Sequence, residues 1–222
     1  MDAPRFRDLR EFGTETFMAV GPCRIAFSTL CLIGSSDIEA HQKELLAKQA
    51  RGRVNSAERW LGALFGEGIN DLGVEEPDNL KQKRQRAYQA IAPMAVALRK
   101  CDHDLEETMV LADTFKGHCL SRVEPDVTEF LSHMTKYLNN VQADRDGERQ
   151  KAILDVLTSA RFVGRTIGMI SINASIEAAR AGEYGKSFEG IASEVRSLAR
   201  QTQDLLTEVS ALLLEDSRTD GE

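Results

Sequence analysis

The chain has 222 residues, 42% apolar and 28% charged, with five prolines and a formal net charge of −7. That length suffices for one or two domains with a real core, and the composition excludes a disordered chain. Acidic balance without clustered Lys and Arg also excludes bulk binding to nucleic acid, whose phosphates must be neutralised.

In chain order, the first 34 residues carry Ile25, Phe27, Thr29, Cys31 and Ile33 in alternation with smaller residues, a pattern that fits a strand and a buried helix equally. No second strand is available to pair with it, so helix is the expectation. Phe17 to Gly34 is too short for a membrane span of about 20 apolar residues, and Gly21, Pro22 and Arg24 interrupt it. Asp2, Asp8, Glu11 and Glu15 ahead of it do not fit a cleaved signal. A cytoplasmic location follows as the expectation, with Cys23, Cys31, Cys101 and Cys119 reduced and no CxxC pair among them.

Ser35 or Ser36 is expected to cap a helix carrying Ile38, Leu45, Leu46, Val54, Trp60, Leu61, Leu64 and Phe65, ending near Gly66 to Gly73. Asp71 to Asn79 reads as a polar connection. From Leu80 a helical stripe runs through Tyr88, Ile91, Leu98, Cys101, Leu105, Ala112 and Phe115, with a kink or a junction at Pro93 and a stop at Gly117. Pro125 suits the first turn of a further helix with Val127, Phe130, Leu131, Met134, Leu138 and Val141. Asp144-Arg145-Asp146-Gly147 reads as a linker. It separates an N-terminal helical region, 1–143, from a C-terminal segment, 148–222.

The C-terminal segment holds two heptad seams. The first comprises Ile153, Val156, Ala160, Val163, Ile167, Ile170, Ala174 and Ala181, with Glu177 at the position that interrupts it. Phe188, Ile191, Val195, Leu198, Thr202, Leu205, Val209 and Leu212 form the second. They are mirror images about residue 184: Ala181 matches Phe188, Ala174 matches Val195, and Ile170 matches Leu198. An antiparallel hairpin would stack them layer on layer, with Gly182 and Gly185 at the reversal because glycine tolerates positive φ. Each arm spans about 35 residues, or ~50 Å. Two helices bury too little apolar area to stand alone, so a homodimeric four-helix bundle is expected. The fold class is all-α.

The run Asn173-Ala174-Ser175-Ile176-Glu177-Ala178-Ala179-Arg180-Ala181-Gly182-Glu183, with Gly185-Lys186-Ser187-Phe188 and Glu194-Val195-Arg196, resembles the signalling tip of methyl-accepting chemotaxis receptors. The likeness covers roughly Thr166 to Thr202. It implies a dimeric hairpin whose tip binds a chemotaxis histidine kinase and its coupling adaptor, with Ile170, Asn173, Glu177, Arg180 and Glu183 as the partner-binding residues. Three departures stand out: Arg165 replaces a phenylalanine of the trimer contact, Ile167-Gly168 a Thr-Asn pair, and Glu189-Gly190 two small apolar residues. They leave the grouping of dimers into trimers open. The arms are too short for the family's methylation segments, so reversible methylation is not expected.

Glu177 and Arg180 also read simply as a helical surface ion pair. An apolar residue at 177 would stabilise the seam more, which points to specificity at some cost in stability. Cys101, His103, His118, Cys119 and His133 suggest a metal or haem. On one continuous helix, however, Cys101 and Cys119 would lie about 27 Å apart, too far to share an ion. His118 could meet His133 only across a turn, so neither metal nor cofactor is expected. Lys81, Lys83, Arg84 and Arg86 read as a solvated face. Catalytic groupings are absent and no enzyme activity is expected. The leading reading is a signal transducer acting through its tip, the alternative a scaffold coiled coil that keeps the tip for self-assembly.

Overall fold

The Asp8 carboxylate accepts the Glu11 amide at 2.8 Å and so caps the first helix, α1 (Leu9–Val20). Gly21 and Pro22 end it, and α2 (Cys23–Ser35) follows. The apolar alternation before residue 35 is thus helical, not extended, and Leu9, Phe12, Val20, Ala26, Leu30 and Ile33 turn inward. These elements belong to a computed structural model describing residues 5–35, 39–101 and 104–219, with side chains described to residue 214 and not at 27, 31, 32, 34 and 35. Among the described residues all regular structure is helical. The chain divides into two compact units, 1–142 and 143–222.

Ser35 lies in α2, position 36 is outside the described residues, and Glu39 stands at the N-cap of the next helix. α3 (Ala40–Arg59) starts after Glu39 and widens into a π turn at Trp60–Leu64 before α4 (Phe65–Asp71). The Trp60 indole donates to Thr16 Oγ1 at 3.0 Å, and Thr16 donates to the Phe12 carbonyl at 2.8 Å, so both buried polar groups are satisfied. Phe12 and Phe65 meet at 5.1 Å between ring centroids, and Phe65 and Phe130 at 5.3 Å. Gly68 is required beneath these rings, because a Cβ there would lie 2.8 Å from Phe12 Cε2.

Gly73, with φ of 66°, closes the turn into α5 (Asp78–Lys100). Pro93 neither ends this helix nor divides it. Proline removes one ladder bond, to the Gln89 carbonyl, and Gln89 is exposed to water that can replace it. The stripe from Tyr88 to Phe115 is not one helix, since α5 ends at Lys100 and the next helix starts at Leu105. Asp104 then caps α6 (Leu105–His118) by accepting the Glu107 amide at 3.0 Å.

Gly117 does not stop α6. The helix passes through a second π turn, Cys119–Val123, into α7 (Glu124–Arg180), where the Glu124 amide reaches back to the Cys119 carbonyl. Pro125 has no N–H to continue the ladder, and a widened turn just before it is the local response. α7 also runs straight through Asp144–Gly147, so the expected linker is helical. One glycine costs about 1 kcal/mol in a helix, too little to break one extended on both sides. α8 (Lys186–Thr219) is the last described helix. No helix among the described residues is long and apolar enough to cross a membrane.

The basic run of α5 is not merely solvated. Arg84 forms a two-pronged pair with Glu76, at 2.7 and 2.9 Å, donates to the Leu61 carbonyl of the first π turn at 2.6 Å, and lies 5.8 Å from the centre of the Phe65 ring. Lys83 pairs with Glu129 of α7. Local sequence carries no sign of these pairs, because both acidic partners lie outside α5.

Two outcomes follow for unit 1–142. Phe65→Ala should lower its unfolding free energy by about 3–5 kcal/mol, read by urea titration of the fluorescence of Trp60, the only tryptophan of the chain. The hydrogen bond from Lys83 holds the Glu129 carboxyl below its ordinary value of 4.5. Such a group stabilises the fold above its unfolded pKa, and the contribution is lost as pH falls through the folded one. Lys83→Met should therefore make the urea midpoint fall less steeply with acidification below pH 4.5.

Candidate partner-binding tip

Small residues decide how the hairpin closes. On α7 the row Gly164, Gly168, Ser171, Ser175 and Ala178 turns towards α8, where Ala192 and Ala199 are buried against it. A Cβ on Gly168 would sit 4.0 Å from the Ala199 methyl, and one on Gly164 3.5 Å from Gln203 Cγ. The serine hydroxyls bond within their own helix, Ser171 to the Gly168 carbonyl at 2.7 Å and Ser175 to the Ser171 carbonyl at 3.0 Å, leaving no buried donor open. Towards the base, Arg161 and Gln150 reach the carbonyls of Leu206 and Leu213 on the opposite arm, at 3.3 and 2.7 Å.

This arrangement corrects the expected stacking of the large seams. Ile167, Ile170 and Ala174 are exposed rather than buried against α8. They flank a groove of about 500 Å³, with Phe188, Ile191 and Val195 on its other bank. Ile170 is 60% exposed, Phe188 68% and Leu198 63%. The large seams therefore form one apolar face directed away from the hairpin's own interface.

The chain reverses in a single 3₁₀ turn, Gly182–Gly185. Gly182 takes φ of +61°, and Gly185 is buried so closely on α7 that a Cβ would lie 2.0 Å from the Ala178 carbonyl oxygen. The Ala181 amide still bonds to the Glu177 carbonyl at 3.1 Å, so α7 stays wound to the turn. Tyr184 stands 95% exposed at the apex.

Ile170, Asn173, Glu177, Arg180 and Glu183 are all exposed. Glu177 and Arg180 pair at 3.4 Å, and Glu183 pairs with Lys186 at 2.6 Å. Ile170 and Glu177 line the groove, whereas Asn173, Arg180 and Glu183 do not. Exposed pairs of this kind contribute little to stability, so the charges are free to serve contacts. Arg165, Glu189 and Gly190 are exposed as well, and open space surrounds Gly190. A further exposed row lies on α7 outside the two seams. Phe162, Met169 and Ile176 are 72%, 67% and 59% exposed, and their spacing of seven residues was the signal available.

The cysteine and histidine group does not converge. His103 and the Cys31 side chain lie outside the described residues. His118 Nε2 contacts the Ala90 carbonyl at 2.8 Å, and His133 Nδ1 the Glu129 carbonyl at 2.9 Å. No turn brings these two histidines together, since the helix between them is continuous over about 22 Å. Cys101 and Cys119 are not on one helix, because Cys101 follows the end of α5 and Cys119 follows α6. Burial pushes the Cys23 thiol up to about 12. Among the described residues no group of three or more His, Cys, Asp or Glu is placed to hold a metal.

Residues 122–220 match the family described as the methyl-accepting chemotaxis protein (MCP) signalling domain. Among curated relatives, methyl-accepting chemotaxis protein PcaY of Pseudomonas putida is 25% identical over 188 residues, 82% of this chain and 35% of that protein. McpQ of Pseudomonas putida is 35% identical over 46% of this chain and 15% of its own length, and McpA of Bacillus subtilis 40% identical over 30% and 10%. The chain thus spans about a third of PcaY and less of the others. No solved structure matches it.

The turn geometry fixes what substitution there should do. Gly185→Ala, which places a methyl against backbone, should destabilise the hairpin by more than about 2 kcal/mol. Gly182→Ala should cost only about 1 kcal/mol, and Gly182→Asn less, because Asn tolerates positive φ. Hydrogen exchange of amides on both sides of the turn measures the ranking.

Proposed function

Residues 122–220 are a methyl-accepting chemotaxis protein signalling domain, and from that premise we propose that the chain is a cytoplasmic transducer that pairs through its hairpin and presents the tip to a chemotaxis-type histidine kinase and coupling adaptor. The observation that carries this is the exposed apolar groove between the arms at the residues that match the family. Large seam residues repeating every 3.5 positions on both arms suit a second copy, which would close a four-helix bundle. Asn173, Arg180 and Glu183, which lie off the groove, then contact the kinase and adaptor, while Ile170 and Glu177, which line it, act on that contact through the pairing. Unit 1–142 serves as sensor or as dimerisation platform, and the hairpin acts by packing changes rather than by catalysis, as suits packed helices with two arrangements.

A scaffold role is favoured by one observation, the exposure of Arg165 and Gly190. The two readings separate on the double variant Glu177→Ala/Arg180→Ala, compared with the unaltered chain by pull-down with kinase and adaptor at micromolar concentration and by sedimentation. Binding by the unaltered chain, lost in the variant while its dimer persists, is the expected result. Absence of binding by the unaltered chain would overturn the transducer reading, and loss of assembly in the variant would support the scaffold.

A further inference from the structure

Apart from Ser171, Glu177 and Tyr184, apolar or small residues line the groove between the arms. Of its lining residues only Glu177 carries a charge, and Tyr184 is the other group that can ionise. Ala174, Ala178 and Ala181 make the α7 bank around Glu177 low, whereas Phe188, Ile191 and Val195 make the α8 bank tall. Below the groove the seam is apolar apart from Thr202, through Val156 and Val163 on α7 and Leu205, Val209 and Leu212 on α8. The apolar face therefore has two zones, a base of large side chains and a tip with small side chains and a carboxylate.

A second copy related by a two-fold axis along the hairpin keeps every residue at its own height, so it brings a second Glu177 to the same layer. Covering that layer takes two carboxylates out of water in an apolar setting, an unfavourable step unless each is met by a cation. Arg180 is the cation at hand, 3.4 Å from Glu177 and largely exposed. It lies off the groove and is drawn towards the surface rather than into the seam. Lys186 is already paired with Glu183.

We propose that Glu177 sets the closure of the tip: the two copies are held by the base layers, and the tip layers stay loosely paired because a carboxylate stands in their seam. This inference rests on the pairing of two copies proposed above. It assigns to Glu177 a role within the pair, distinct from contact with a third protein.

The full chain is compared by sedimentation equilibrium with Glu177→Leu, Glu177→Gln and Glu183→Leu, the last removing the same charge from the turn outside the groove. The expected result is association tightened about tenfold or more by Glu177→Leu and several-fold by Glu177→Gln, with Glu183→Leu within about twofold of the unaltered chain. Hydrogen exchange should show added protection at residues 170–181 and 188–195 in the Glu177 variants, with residues 150–163 unchanged. An unaltered chain that pairs while neither Glu177 variant pairs more tightly overturns the inference. So does equal tightening by Glu183→Leu, which would make net charge the cause. An unaltered chain that stays monomeric up to about 1 mM overturns the pairing itself, a result distinct from either.

Discussion

Closure of the hairpin depends on how near two helix backbones can come. Gly164, Gly168, Ser171, Ser175 and Ala178 offer almost no side chain on one arm, and Ala192 and Ala199 offer little on the other. Such rows allow close approach but remove little apolar surface from water. The large side chains, displaced from that contact, lie on the face beside it. A hairpin closed by its smallest residues is therefore incomplete by construction. The same division between a small inner row and a large outer row gives the molecule its groove.

The N-terminal unit is put together differently. Its stability rests on a column of rings, Phe12, Phe65 and Phe130, with Trp60 tied to Thr16 and Arg84 fastened to Glu76 and the Leu61 carbonyl. Two elements far apart in sequence, α4 and α7, meet in that column. The polar groups around it are satisfied in place, including the carbonyl within the first π turn. One unit thus closes on itself through large buried residues, whereas the other leaves its large residues at the surface.

Much of this was legible in the sequence. Mirrored heptads about residue 184 and the Gly182/Gly185 pair located the reversal, because heptad period and positive φ are local properties. Which row faces inward was not legible. The large seam was the stronger apolar signal, and a row of glycine, serine and alanine registers on no hydrophobic pattern. The helix through Asp144–Gly147 was missed because a charged run with glycine carries the composition of a turn, although nothing in it prevents helix. The junction expected as one alternative at Pro93 and the stop at Gly117 are not present: Pro93 lies inside α5 with Gln89 exposed, and a widened turn at Cys119–Val123 follows Gly117. The roles of Lys83 and Arg84 depended on distant acidic partners that no local reading supplies.

The widened turn before α7 also fixes a phase. An α-helix advances about 100° per residue, so one residue inserted in a π turn displaces every later side-chain row around the helix by that angle relative to the rows before it. The apolar rows of α7 are consequently indexed from Cys119–Val123 rather than from the start of α6. Shortening that turn by one residue would leave each helix intact while bringing a different row of α7 to the position its core residues Val127, Phe130 and Met134 now occupy. The setting of that turn decides which row of α7 faces the core.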